Sequence, residues 1–67
     1  MDKDWLKLHV SSKLHEVEML RSYLLEHGIE AIILNTQDSA YGFGDVQLFV
    51  HRDQSLQARH LINSFNE

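Results

Sequence analysis

The sequence predicts an α+β domain in which three antiparallel strands carry two helices on one face. Three observations lead there. Residues 5–10 and 45–51 alternate apolar and polar side chains, the period of a half-buried strand. Residues 13–27 and 54–65 instead repeat apolar positions at helical spacing. The chain has 67 residues, room for one two-layer unit with a single core.

The first strand, 5–10, sets Leu6, Leu8 and Val10 on one side and Trp5, Lys7 and His9 on the other. Ser11-Ser12 ends it and supplies hydroxyls suited to cap a helix. The helix over 13–27 carries Val17, Leu20 and Leu24 on one stripe, with Leu14 and Leu25 beside it. Gly28 follows as the residue able to turn left-handed without Cβ strain, and Ile29 can close the hydrophobic contact of a Schellman ending. Residues 29–35 are rich in β-branched side chains and too short for a helix, so they read as the second strand. Ile29, Ala31 and Ile33 face one way, while Ile32 and Leu34 are apolar on the other. Residues 36–44 form a loop with Ser39, Gly42 and Gly44. The third strand, 45–51, sets Val46, Leu48 and Val50 against Gln47, Phe49 and His51. Asp53 is placed to cap the helix over 54–65, whose stripe is Ala58, Leu61, Ile62 and Phe65. Leu56 falls opposite that stripe, over the first turn.

The order is β-α-β-β-α. With the second and third strands paired antiparallel and both helices on one face, the simplest architecture is a truncated ferredoxin-like sheet of order 1-3-2. The third strand is then central, and the first is an open edge. The helix-facing side takes Leu6, Leu8, Val10, Ile29, Ala31, Ile33, Val46, Leu48 and Val50. The other side takes Trp5, Lys7, His9, Ile32, Leu34, Gln47, Phe49 and His51. Trp5, Ile32, Leu34 and Phe49 are large and apolar, and the chain offers no second layer to cover them. An apolar face of that kind marks an interaction surface.

Composition narrows the function. There is no cysteine, which removes disulfides, thiolate metal sites and cysteine nucleophiles. Six Lys and Arg stand against ten Asp and Glu. Lys3, Lys7 and Lys13 form no basic patch, which disfavours nucleic acid as a partner. No apolar run reaches the length of a membrane span, and the polar start Met1-Asp2-Lys3-Asp4 lacks a signal-peptide core. The expectation is a cytoplasmic protein.

His9 and His51 are expected as neighbours on the open face, where two imidazoles could hold a metal with further ligands. As only two ligands they define no metal centre, and no cofactor is expected. Ser39-Ala40-Tyr41-Gly42-Phe43-Gly44 has glycines and aromatics but lacks the Lys-Ser/Thr of a phosphate loop, and it does not run from strand to helix. Tyr41 and Phe43 therefore read either as a recognition tip or as cover for the sheet. The serines have no base and orienter in sequence, Glu16, Glu18, Glu26 and Glu30 read as a solvated face, and an enzyme is not expected. The basic-glycine-aromatic pattern of an RNA-recognition strand is absent from 44–50.

The helix ending Leu24-Leu25-Glu26-His27-Gly28-Ile29-Glu30-Ala31 resembles a known small bacterial family. So do the strand Gly44-Asp45-Val46-Gln47-Leu48-Phe49-Val50 and the last helix with Ala58 and Leu61-Ile62. The family is that of prokaryotic signal-transducing proteins, a domain of unknown function. The resemblance spans nearly the whole chain and implies a ferredoxin-like fold related to the nitrogen-regulatory PII proteins. In PII-like proteins the loop between the second and third strands contacts partners, and the matching loop here is 36–44. The nucleotide site of PII proteins has no matching basic residues in this chain, which is also shorter by a strand.

The expected function is thus a regulatory or adaptor module acting by association, as a homo-oligomer or with a protein partner. Contact is expected through the open sheet face or the first-strand edge, with Trp5, Ile32, Leu34, Phe49, Tyr41 and Phe43 as contact residues. The alternative is a small-molecule or metal sensor using that face, the loop and His9 with His51.

Overall fold

The computed structural model describes residues 4–36 and 44–65. Tyr41 and Phe43, and with them most of the loop expected to contact partners, lie outside the described residues. The elements run β1 (Trp5–Ser11), α1 (Leu14–Glu26), β2 (Ala31–Asn35), β3 (Val46–His51), a 3₁₀ turn (Arg52–Gln54) and α2 (Ser55–Phe65). The sheet order is β1-β3-β2, and both pairings are antiparallel. The fold is therefore the truncated ferredoxin-like α+β arrangement that the sequence predicts.

The core lies between the sheet and the helices. Val17, Leu20 and Leu24 of α1 and Ala58 and Ile62 of α2 meet Ile29, Ala31, Val46, Leu48 and Val50. Every second residue of β3 is fully buried, as the strand's period of two requires. Leu8, Ile33, Leu61 and Phe65 pack around this cluster. The predicted stripes hold at their centres and fail at their margins. Leu14 is 36% exposed and Leu25 62% exposed, because each lies off the buried arc of α1, while Leu56, opposite the stripe of α2, is exposed as its position predicts.

Helix α1 ends as a Schellman motif. The Ile29 amide donates to the Leu24 carbonyl at 2.9 Å and the Gly28 amide to the Leu25 carbonyl at 3.0 Å. Gly28 has φ +80°, and Ile29 enters the core instead of opening β2. A Cβ at Gly28 would meet no atom within 4 Å, so Gly28→Ala carries a purely conformational cost. That cost is about 1–2 kcal/mol, expected as a lower urea midpoint with an unchanged slope.

Of the two expected helix caps, the one at Ser11-Ser12 is met in part and the one at Asp53 is displaced. Lys13 is the N-cap residue of α1 and makes no side-chain cap bond. The Ser11 hydroxyl, one of the two expected to cap, accepts from the Lys13 amide at 3.1 Å, a local turn made by a hydroxyl two residues back. Asp53 does not cap the last helix. His51 precedes the 3₁₀ turn, and its Nδ1 accepts from the Asp53 amide at 3.2 Å. At the far end of the β2–β3 pair, Thr36 clasps Asp45. The Thr36 amide and hydroxyl both donate to the Asp45 carbonyl, at 3.0 and 2.6 Å, and the Asp45 amide returns to Thr36 Oγ1 at 3.2 Å.

Candidate functional site

The open face of the sheet is decided by one irregularity in β1. Lys7 pairs with Phe49, but His9 pairs with Leu48, so Leu8 is an extra residue in a β-bulge. Residues directly opposite in an antiparallel pair share a face. Before the bulge, Leu6 lies on the helix side with Val50, and Trp5 and Lys7 lie on the open side with His51 and Phe49. After it the alternation is inverted. His9 joins Leu48 on the helix side, and Val10 joins Gln47 on the open side. Val10 is 43% exposed. The expected placement of Val10 in the core and of His9 on the open face is thus corrected by the bulge.

The exchange makes the open face more apolar than the sequence suggests. It carries three ranks, read from the register of both strand pairs. Val10, Gln47 and Leu34 form one rank, and Lys7, Phe49 and Ile32 the next. Trp5 and His51 form the third, with their rings edge to face at 5.8 Å between centroids. Five of these eight side chains, Trp5, Val10, Ile32, Leu34 and Phe49, are apolar, and none is a carboxylate. Ile32 and Leu34 are each 39% exposed. The structure thus brings Trp5, Ile32, Leu34, Phe49 and His51 together on one face, as predicted, and adds Val10.

His9 and His51 do not meet. They stand on opposite faces, and His51 pairs with Trp5. The His51 Nδ1 that accepts from the Asp53 amide cannot also donate to the Asp53 carboxylate 3.6 Å away. The amide bond is the shorter, so the neutral ring carries its proton on Nε2. Among the described residues no group of three His, Cys, Asp or Glu is placed to hold a metal ion. The geometric basis for a two-histidine sensor is therefore lost.

His9 instead belongs to a small polar knot at the start of α1. Its Nε2 is enclosed 3.6 Å from Glu16 Oε1. The Ser11 hydroxyl donates to Glu16 Oε2 at 2.9 Å. Glu16 is thus not the solvated residue that its helix position suggests. The available sequence signal was its place three residues after the N-cap Lys13, where a carboxylate commonly turns back toward the preceding chain. Glu16→Ala is expected to cost about 1 kcal/mol, since one charge-assisted hydrogen bond and a favourable first-turn charge are lost at a half-exposed position. Thermal melts read by circular dichroism would measure it.

On the opposite side of the molecule, a groove of about 410 Å³ runs along α1, lined by His15, Glu18, Met19, Ser22, Tyr23, Glu26 and Phe65. The Tyr23 ring lies between Phe65, at 5.0 Å, and His27, at 4.8 Å. Sequence reading missed this groove because it joins one helix to the far end of the other. It is a shallow trough with an acidic rim.

Among the described residues no helix is long and apolar enough to cross a membrane. Searches with the chain against protein-family profiles, characterised proteins and solved structures returned no match.

Proposed function

We propose that this chain is a small bacterial regulatory or adaptor module, cytoplasmic and without catalysis of its own, that works by protein association through the open face of its sheet. The observation that carries this reading is the composition of that face. Five of eight side chains are apolar and none is acidic, in a chain of net charge −4. Surface of that character, continuous across three strands, is the kind that partners cover. The sequence resemblance to bacterial signal-transducing proteins points the same way.

Site-specific photo-crosslinking tests it. A benzophenone side chain in place of Ile32 is expected to give discrete protein adducts in cells, and the same group in place of Glu18 on α1 is expected not to. Equal labelling from both positions, or none from Ile32, would rule the open face out as the docking surface.

A further inference from the structure

We infer that His51 is a proton-operated cap. Its neutral ring holds the turn that leads into α2. Its charged ring gives up that bond, turns to the Asp53 carboxylate and sets a positive charge on the open face. The switch stands whether or not that face docks a partner.

Caps are ordinarily made by Ser, Thr, Asn or Asp, whose oxygens remain acceptors through neutral and mildly acidic pH. Here the acceptor is a ring nitrogen. His51 Nδ1 receives the Asp53 amide at 3.2 Å, so the proton of the neutral ring sits on Nε2. The nitrogen that caps is therefore the one that takes an added proton. Once protonated, Nδ1 is a donor facing a donor, and this bond to the Asp53 amide is lost.

A second partner stands beside the first. Asp53 Oδ2 is 3.6 Å from the same Nδ1, on an exposed side chain that can swing in to the ~2.8 Å of a charge-assisted bond. The amide and the carboxylate of one residue thus compete for one nitrogen, and the proton decides between them. Trp5 steadies the ring during the exchange. The two rings meet edge to face with centroids 5.8 Å apart, inside the distance of about 6 Å over which an indole attracts a cation.

Charges of both signs surround the ring. On β1, Lys7 shares the open face one rank away. Beside β2, Glu30 falls opposite His51 when the register is carried one residue past Ala31 and Val50. Arg52 and Asp53 follow His51 in the turn, and the Arg52 amide donates to the carbonyl of Asp4, next to Trp5, at 2.7 Å. Asp53 is the group placed to receive the Nδ1 proton. The rest of the turn is held by other bonds. The Ser55 hydroxyl donates to the Arg52 carbonyl at 3.0 Å, and the Gln54 side-chain amide donates to the Gly28 carbonyl at 3.4 Å. Exchange of the cap therefore leaves α2 in place. One hydrogen bond moves, and a half-exposed side chain of the open face gains a charge.

Nuclear magnetic resonance of the full chain reads both atoms. The titration runs between about pH 8 and 5, where imidazole changes charge. The His51 ring nitrogens are expected to show the Nε2–H tautomer at the upper end and two protonated nitrogens at the lower. The Asp53 amide proton is expected to move upfield in step, as its bond is lost, and Trp5 emission to fall as the neighbouring ring charges. His51→Asn keeps an oxygen acceptor at this position. It is expected to hold the Asp53 amide signal constant over the same range, with circular dichroism unchanged. Asp53→Asn is expected to keep the transition, which assigns the proton to the ring and not to the carboxylate. An Nδ1–H tautomer in the neutral ring would overturn the cap. An Asp53 amide that ignores the ring's titration, or that shifts equally in His51→Asn, would overturn the switch.

Discussion

Leu48→Ala is expected to leave the domain largely unfolded at 25 °C. Leu48 is fully buried on the central strand, paired with His9 on one side and Ile33 on the other. Truncating a buried leucine costs about 2–5 kcal/mol, the spread reflecting how far neighbours can close the cavity. Collapse is limited here because β3 is held by strands on both sides. A chain of this size has a total margin of ~3–5 kcal/mol, so one truncation is comparable to the whole. Urea titration by tryptophan fluorescence would follow it, since Trp5 lies on the same sheet. A shift in melting temperature of less than about 8 °C, equivalent to at most ~2 kcal/mol, would show that the core is less dependent on this residue than its burial implies.

Phe49→Lys is expected to abolish association while leaving the fold in place. Phe49 lies at the centre of the open face, between Lys7 and Ile32, and is already half-buried in the single chain. Its loss to the monomer is therefore partial, about 1 kcal/mol. At an interface it is lost from the centre of the patch, and a second lysine beside Lys7 adds a charge that any covering partner must desolvate. A loss of about 2 kcal/mol, the scale of a central aromatic contact, corresponds to roughly thirtyfold weaker association. Photo-crosslinking from position 32 in the Phe49→Lys chain reads the association and thermal melting reads the fold. Native association by Phe49→Lys would count against the whole face.

These effects differ in how far the sequence foretells them. The buried role of Val46, Leu48 and Val50 is legible because β3 is regular and its alternation continues unbroken into the pairing. The Schellman ending is legible because Gly28 and Ile29 are chemically specific to it. The fate of His9 and Val10 is not. Residues 5–11 alternate without a flaw, and an inserted residue leaves no trace in a pattern that has no partner strand beside it. What fixes the bulge is non-local: β3 on one side, and Glu16 with Ser11 and His9 at the start of α1 on the other. The cap expected at Asp53 fails for a related reason. His51 supplies a nitrogen acceptor from within a strand, two residues earlier than cap propensities lead one to look.

The Thr36–Asp45 clasp has a further consequence, for how this domain can change. Three hydrogen bonds fix the two strand ends against each other, so the register of the sheet is settled before the intervening segment is reached. The free energy of closing a chain between fixed ends grows only logarithmically with its length, about 0.6 kcal/mol for each doubling. Insertions between these two residues therefore draw little on the stability of the sheet. That junction is where a lineage could vary the connection freely, and where a foreign peptide is most readily displayed on this scaffold.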